Sequence, residues 1–281
     1  MGPCRFSMVV PAVVSLRVRP RWRTYSLLPG RAVLIALAAL APTCLANAAA
    51  VQDFSGVWEE ATLGAPTEPS ATPQAIFAGP DEQPPPGGEP QLREPYATEY
   101  RLLGEKKRVA AREGRPIADT RSRCLPLGMP AMMVPIFPIE IIQTPHKIVI
   151  VAEEYSQVRH IYLNEAMPPR EELTPSYNGH SVGRWRGNTL VITTTGIRED
   201  SRFWDFPHSA RMIVTERWTR ARGGLLKNSI TMTDPTVLAK PYTFSVVYRR
   251  RPGAKIMEYL CDNNRYRVDG NGGAVLDTTP R

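Results

Sequence analysis

The sequence predicts a mainly β fold: an antiparallel up-and-down barrel with one N-terminal helix and a Pro-rich loop. Three observations carry this. From Ile139 onward, short segments alternating apolar and polar residues follow one another closely. Turn signals separate them, as at Arg186-Gly187-Asn188, Gly223-Gly224 and Pro252-Gly253. Short links between successive strands require antiparallel neighbours, and closing such a meander removes its exposed edges. A β-sandwich fits the short hairpin links less well.

In chain order, residues 53–60 read as a first strand. Residues 61–92, rich in Pro, Gly, Ala and Glu, read as a loose loop that buries little. Residues 94–114 read as the helix: Tyr96, Leu103 and Ala110 recur at helical spacing, and Gly114-Arg115-Pro116 stops it. Residues 124–138 carry Pro126, Pro130, Pro135 and Pro138 among apolar residues. Proline removes ladder donors, so this stretch is expected as a buried or pocket-lining loop. Strands are then expected over 139–143, 147–155, 157–164, 181–185, 189–195, 211–220, 225–233, 242–250 and 255–261, the last two as a hairpin.

Residues 1–48 are expected to be a cleavable signal peptide, leaving 49–281 as a single β-barrel domain. They combine Arg5, Arg17, Arg19, Arg21, Arg23 and Arg31 with an apolar run, Ala32 to Ala41, and the small residues Ala46-Asn47-Ala48. That run is shorter than the ~20 residues a bilayer-spanning helix needs, so no stable membrane span is expected after cleavage. Removing six arginines from the chain's net charge of +8 leaves +2, too little to argue for nucleic acid. Two of the four cysteines, Cys124 and Cys261, remain. In a periplasmic or secreted protein they are expected to pair. Neither sits in a C-x-x-C, so neither zinc nor thioredoxin-type chemistry is indicated.

Phe54-Ser55-Gly56-Val57-Trp58 places G-x-W on the first strand. This resembles the opening strand of lipocalin-like (calycin-type) barrels, in which the Trp plugs one end. The stretches CLPLGMP, GHSVGRWRGNTLVITTTG, VTERW and EYLCDNN resemble a group of secreted bacterial proteins of unknown function. The resemblance implies secretion and a barrel, and no activity.

Gly179-His180-Ser181-Val182-Gly183 matches G-x-S-x-G, but a hydrolase elbow needs a strand turning into a helix. A hairpin follows here, so the segment reads as loop and strand. On 211–220, alternation puts Met212, Val214, Glu216 and Trp218 on one face. If that face is interior, Glu216 is a carboxylate among apolar groups, suited to acid–base work; a structural pairing with Arg is the competing reading. His160, sharing a face with Val158 and Tyr162, is expected to point inward, with Arg159 on the other face. His180 and His208 are expected at a barrel mouth. The three histidines lack local ligand spacing, so no metal and no cofactor are expected. Tyr155, Arg159 and Asp205 are candidates for orienting a polar substrate group, and Trp185, Trp204 and Trp218 for stacking on an aromatic one, although strand aromatics are more often core.

Two functions follow. One is a lyase or isomerase using Glu216 with His160, His180 or His208 on a small apolar or aromatic molecule. The other is a non-catalytic periplasmic carrier for an apolar ligand. A solid interior would instead point to an envelope scaffold.

Overall fold

The alternating segments become strands whose inward residues are apolar and whose outward residues are polar. A computed structural model describes residues 52–61, 85–261 and 266–276. All belong to one unit, 48–281. The expected signal peptide, and residues 62–84 of the expected loose loop, lie outside the described residues.

Nine strands form a closed barrel in chain order. They are β1 (Gly56–Glu60), β2 (Ile139–Gln143), β3 (Lys147–Ala152), β4 (Gln157–Leu163), β5 (His180–Arg186), β6 (Thr189–Thr195), β7 (Ile213–Arg220), β8 (Leu226–Thr233) and β9 (Tyr242–Arg250). β9 closes on β1, with Glu59 opposite Arg249. The expectation of an all-antiparallel meander is corrected at one seam. β4 and β5 run parallel, Ile161 opposite Ser181, while every other neighbouring pair is antiparallel. The reason is parity: a closed ring with an odd number of strands cannot reverse direction at every step. Segment 164–179 supplies the crossover that a parallel pair needs.

A second correction concerns 255–261, which forms no strand. β9 takes β1 as its partner instead, and 255–261 packs through Tyr259 against Phe137 and Tyr155. A small separate sheet pairs β10 (Tyr266–Val268) with β11 (Ala274–Leu276). The described end of the Pro/Gly stretch is pinned rather than loose. Gly87 N–H donates to the Tyr242 hydroxyl at 2.9 Å, and a Cβ there would lie 2.7 Å from the Thr243 carbonyl.

The barrel is filled with side chains. Trp58, Ile139, Ile150, Ile161, Ile192, Val214, Trp218, Ile230 and Tyr248 are all fully buried. Each such apolar side chain contributes roughly 1.5–3 kcal/mol on burial. Where the β5–β6 and β7–β8 hairpins turn, Phe54 packs on Trp185 and Trp218, and Trp58 donates its indole N–H to the Phe54 carbonyl at 2.9 Å. Phe203 and Phe206 pack against Tyr242 and Phe244 of β9. The Pro-rich loop also enters the core: Met132 and Met133 are buried, and Tyr248 donates its hydroxyl to the Met133 carbonyl at 2.6 Å.

The helix, α1 (Tyr96–Arg112), is slightly shorter than expected. Its end is a Schellman motif: Gly114 N–H bonds the Ala111 carbonyl and Arg115 N–H the Ala110 carbonyl, with Gly114 at φ 70°. Half-buried Tyr96, Tyr100, Leu103 and Ala110 share one stripe with buried Lys107. Tyr100 meets Phe206 edge-on at 6.3 Å, so this stripe faces the 200–206 loop.

Candidate functional site

The residues singled out in the sequence fall in four places. Glu216 is fully buried inside the barrel, paired there with the equally buried Arg159. Glu216 Oε1 also accepts from Asn228 Nδ2 at 2.8 Å and from the Trp218 indole at 3.2 Å. Arg159 donates to Ser181 Oγ at 3.2 Å and Thr194 Oγ1 at 2.9 Å. The expected facing of β4 is therefore reversed: Arg159 points in, and His160 is exposed. Both faces of β4 carry two apolar residues, and the ion pair across the barrel decides between them. The G-x-S-x-G serine belongs to this network. Ser181 is wholly buried on the inner face of β5, with its hydroxyl 2.8 Å from that of Thr194. Gly183 is on the same face, where a Cβ would lie 2.9 Å from the Leu163 side chain.

His160 and His180 line a groove outside the barrel, together with Tyr155 and Tyr162. His180 stacks on Tyr162 at 5.2 Å. Tyr155 donates its hydroxyl to the Arg121 carbonyl at 3.1 Å, and burial raises its pKa. His208 is buried elsewhere, Nε2 3.0 Å from Ser201 Oγ and Nδ1 3.2 Å from the Ser209 carbonyl. Glu216 and the three histidines therefore do not converge on one cavity. Among the described residues, no three His, Cys, Asp or Glu side chains gather into a metal site.

Burial pushes the His208 imidazole below the usual histidine value of 6.5. The folded state then holds its proton less tightly than the unfolded chain does. Its stabilising contribution is complete above pH 6.5 and is lost as pH falls from there toward the lower folded value. The urea midpoint is expected to drop as pH falls below about 6.5. His208→Gln should flatten that drop; an unchanged slope would show that His208 does not govern it.

Asp205 lies in the fourth place, a cavity of about 260 Å³ outside the barrel, between α1, segment 117–134 and segment 200–205. Leu103, Leu127, Ala131, Val134 and Trp204 supply apolar wall, and Lys107, Arg121, Arg123 and Arg202 supply cations. One wall is backbone held under strain. Phe206 N–H bonds the Phe203 carbonyl at 3.2 Å, and the central residues Trp204 and Asp205 both have positive φ, 48° and 65°. This is the geometry of a type I′ turn, normally filled by Asn and Gly. Non-glycine residues there cost roughly 1–3 kcal/mol each. What holds them is visible: Phe203 and Phe206 are buried against β9, Lys107 Nζ bonds Asp205 Oδ2 at 2.5 Å, and Arg202 Nη1 donates to the Asp205 carbonyl at 3.1 Å. The strain keeps Trp204 on the cavity wall, 4.7 Å from the Phe203 ring. Its indole N–H is buried and has no hydrogen-bond partner among the described residues.

Sequence reasoning singled out Trp204 and Asp205 but missed Lys107, Arg123 and Arg202. No local signal marks those three, because the cavity joins a helix and two loops distant in the chain. The described residues include no helix long and apolar enough to cross a membrane. No known protein family matches the chain, and no curated protein matches it.

Proposed function

We propose that this protein is a secreted, non-catalytic binding protein for a small, largely apolar or aromatic molecule, held in the cavity between α1 and segments 117–134 and 200–205. The observation that carries the reading is the strained Trp204-Asp205 turn. Backbone strain persists where the surroundings over-determine it, and it concentrates at ligand sites. Here it sets a half-buried indole with an unused donor against apolar wall. Small-molecule sites are typically apolar concavities with a few placed polar groups. Secretion is supported by the Cys124–Cys261 disulfide, a bond that persists mainly in oxidising compartments. The acid–base alternative draws less support, since Glu216 is occupied by Arg159, Asn228 and Trp218; the filled interior fits a scaffold as well, and the binding reading rests on the cavity outside the barrel.

Ala131 lines the cavity and is half-buried, so Ala131→Phe should fill it from one side. Native mass spectrometry of protein isolated from its own source is expected to show one small molecule bound to the wild type. The same preparation of Ala131→Phe, with an unaltered melting temperature, should show it lost. An empty wild type, or equal occupancy in the variant, would count against the cavity as the site.

A further inference from the structure

The geometry points to an organic anion as the ligand of this cavity: a molecule with an apolar or aromatic body and one carboxylate or similar acidic group. The inference rests on the cavity being a binding site, as proposed above, and adds the charge of what it takes.

The argument is an inventory of donors and acceptors. The acids lining the cavity are already engaged. Asp205 is paired with Lys107 and Asp200 with Arg198, and Asp119 accepts from the Ser122 backbone N–H at 2.7 Å and its hydroxyl at 2.9 Å. The donors are in surplus. Arg123 makes no side-chain hydrogen bond or ion pair among the described residues, and Arg202 spends one N–H on a neutral carbonyl. Trp204 Nε1 has no partner there. Arg121 is paired with Glu154 at 3.2 Å. A ligand entering this space therefore meets unused N–H donors, two of them on guanidinium groups, while each acid of the wall already accepts a hydrogen bond, Asp119 from neutral donors alone. The complement is an acceptor bearing negative charge. The apolar wall of Leu103, Leu127, Ala131 and Val134 demands that the rest of the molecule be hydrocarbon. A bare inorganic anion leaves that wall uncovered, and a neutral hydrocarbon leaves the donors unmatched.

The test uses three probes of one shape: 3-phenylpropanoate, 3-phenylpropanol and 3-phenylpropylamine, titrated calorimetrically into the full mature chain. The acid is expected to bind at least about tenfold more tightly than the alcohol, the increment of a charge-assisted hydrogen bond, and the amine most weakly. Arg123→Gln, at an exposed side chain that bonds none of the described residues, is expected to keep the wild-type melting temperature while bringing the acid's affinity toward the alcohol's. Raising the salt should weaken the acid alone. Equal binding of acid and alcohol, both abolished by Ala131→Phe, would overturn the anion inference while leaving the cavity as a site. Binding of none of the three, or binding indifferent to Ala131→Phe, would overturn the cavity reading as well.

Discussion

Glu216→Ala is expected to destabilise the protein by about 3–5 kcal/mol, read as a fall in the urea midpoint at unchanged slope. The cost comes from what is left behind. Arg159 is 1% exposed, and its Nη2 then faces Thr194 alone, with no carboxylate to balance its charge. Asn228 and Trp218 lose the acceptor they share. The partner experiment separates this from a simple cavity. Arg159→Met combined with Glu216→Leu removes both charges and keeps the volume filled, and it is expected to recover most of the loss, because a hydrophobic pair often matches a buried ion pair. If the double variant is as unstable as the single one, uncompensated charge is not the cause.

Removing the disulfide is the second large effect. Cys124 and Cys261 are 137 residues apart, and cross-linking ends so distant removes much of the unfolded chain's freedom. Cys124→Ser with Cys261→Ser is expected to cost about 4–5 kcal/mol in the chain-entropy account. The bond also has a local effect. Cys124 adjoins Arg123 of the cavity wall, while the stretch ending at Cys261 rests on Phe137 and Tyr155 through Tyr259. The doubly substituted protein should therefore bind the acid probe more weakly even where it remains folded. An unchanged melting temperature in the double variant would show that 255–261 is held by packing alone.

The strands were legible because each face of a barrel wall meets a different solvent, and the residues alternate accordingly. β7 shows this cleanly: Val214, Glu216 and Trp218 are buried and Arg217 is exposed. On β4 the same reasoning failed. Val158 is 45% exposed, and a buried arginine takes the inner face. Alternation ranks residues by hydropathy, and it has no means of seeing that a charge inward on β4 meets an opposite charge inward on β7. The parallel seam was illegible for a related reason, since it follows from the number of strands in the ring and from no single segment. The histidines were read as a group by residue type, yet they occupy an outer groove and a separate buried pocket. The cavity's defining turn was hidden because Trp-Asp is not a sequence that announces φ above zero.

The seam also shapes how the chain folds. It separates two antiparallel meanders, β2–β4 and β5–β9, whose neighbouring strands follow one another in the chain. Local pairings close quickly because little loop entropy is lost in forming them. Besides the seam, two contacts are of another kind. β2 must find β1 across residues 61–138, and β9 must return to β1, where Trp58 stands opposite Arg250. Until the first strand arrives, β2 and β9 both present open edges of the sort that pair with other chains. β1 thus covers both of those edges at once, as well as carrying Trp58 into the core.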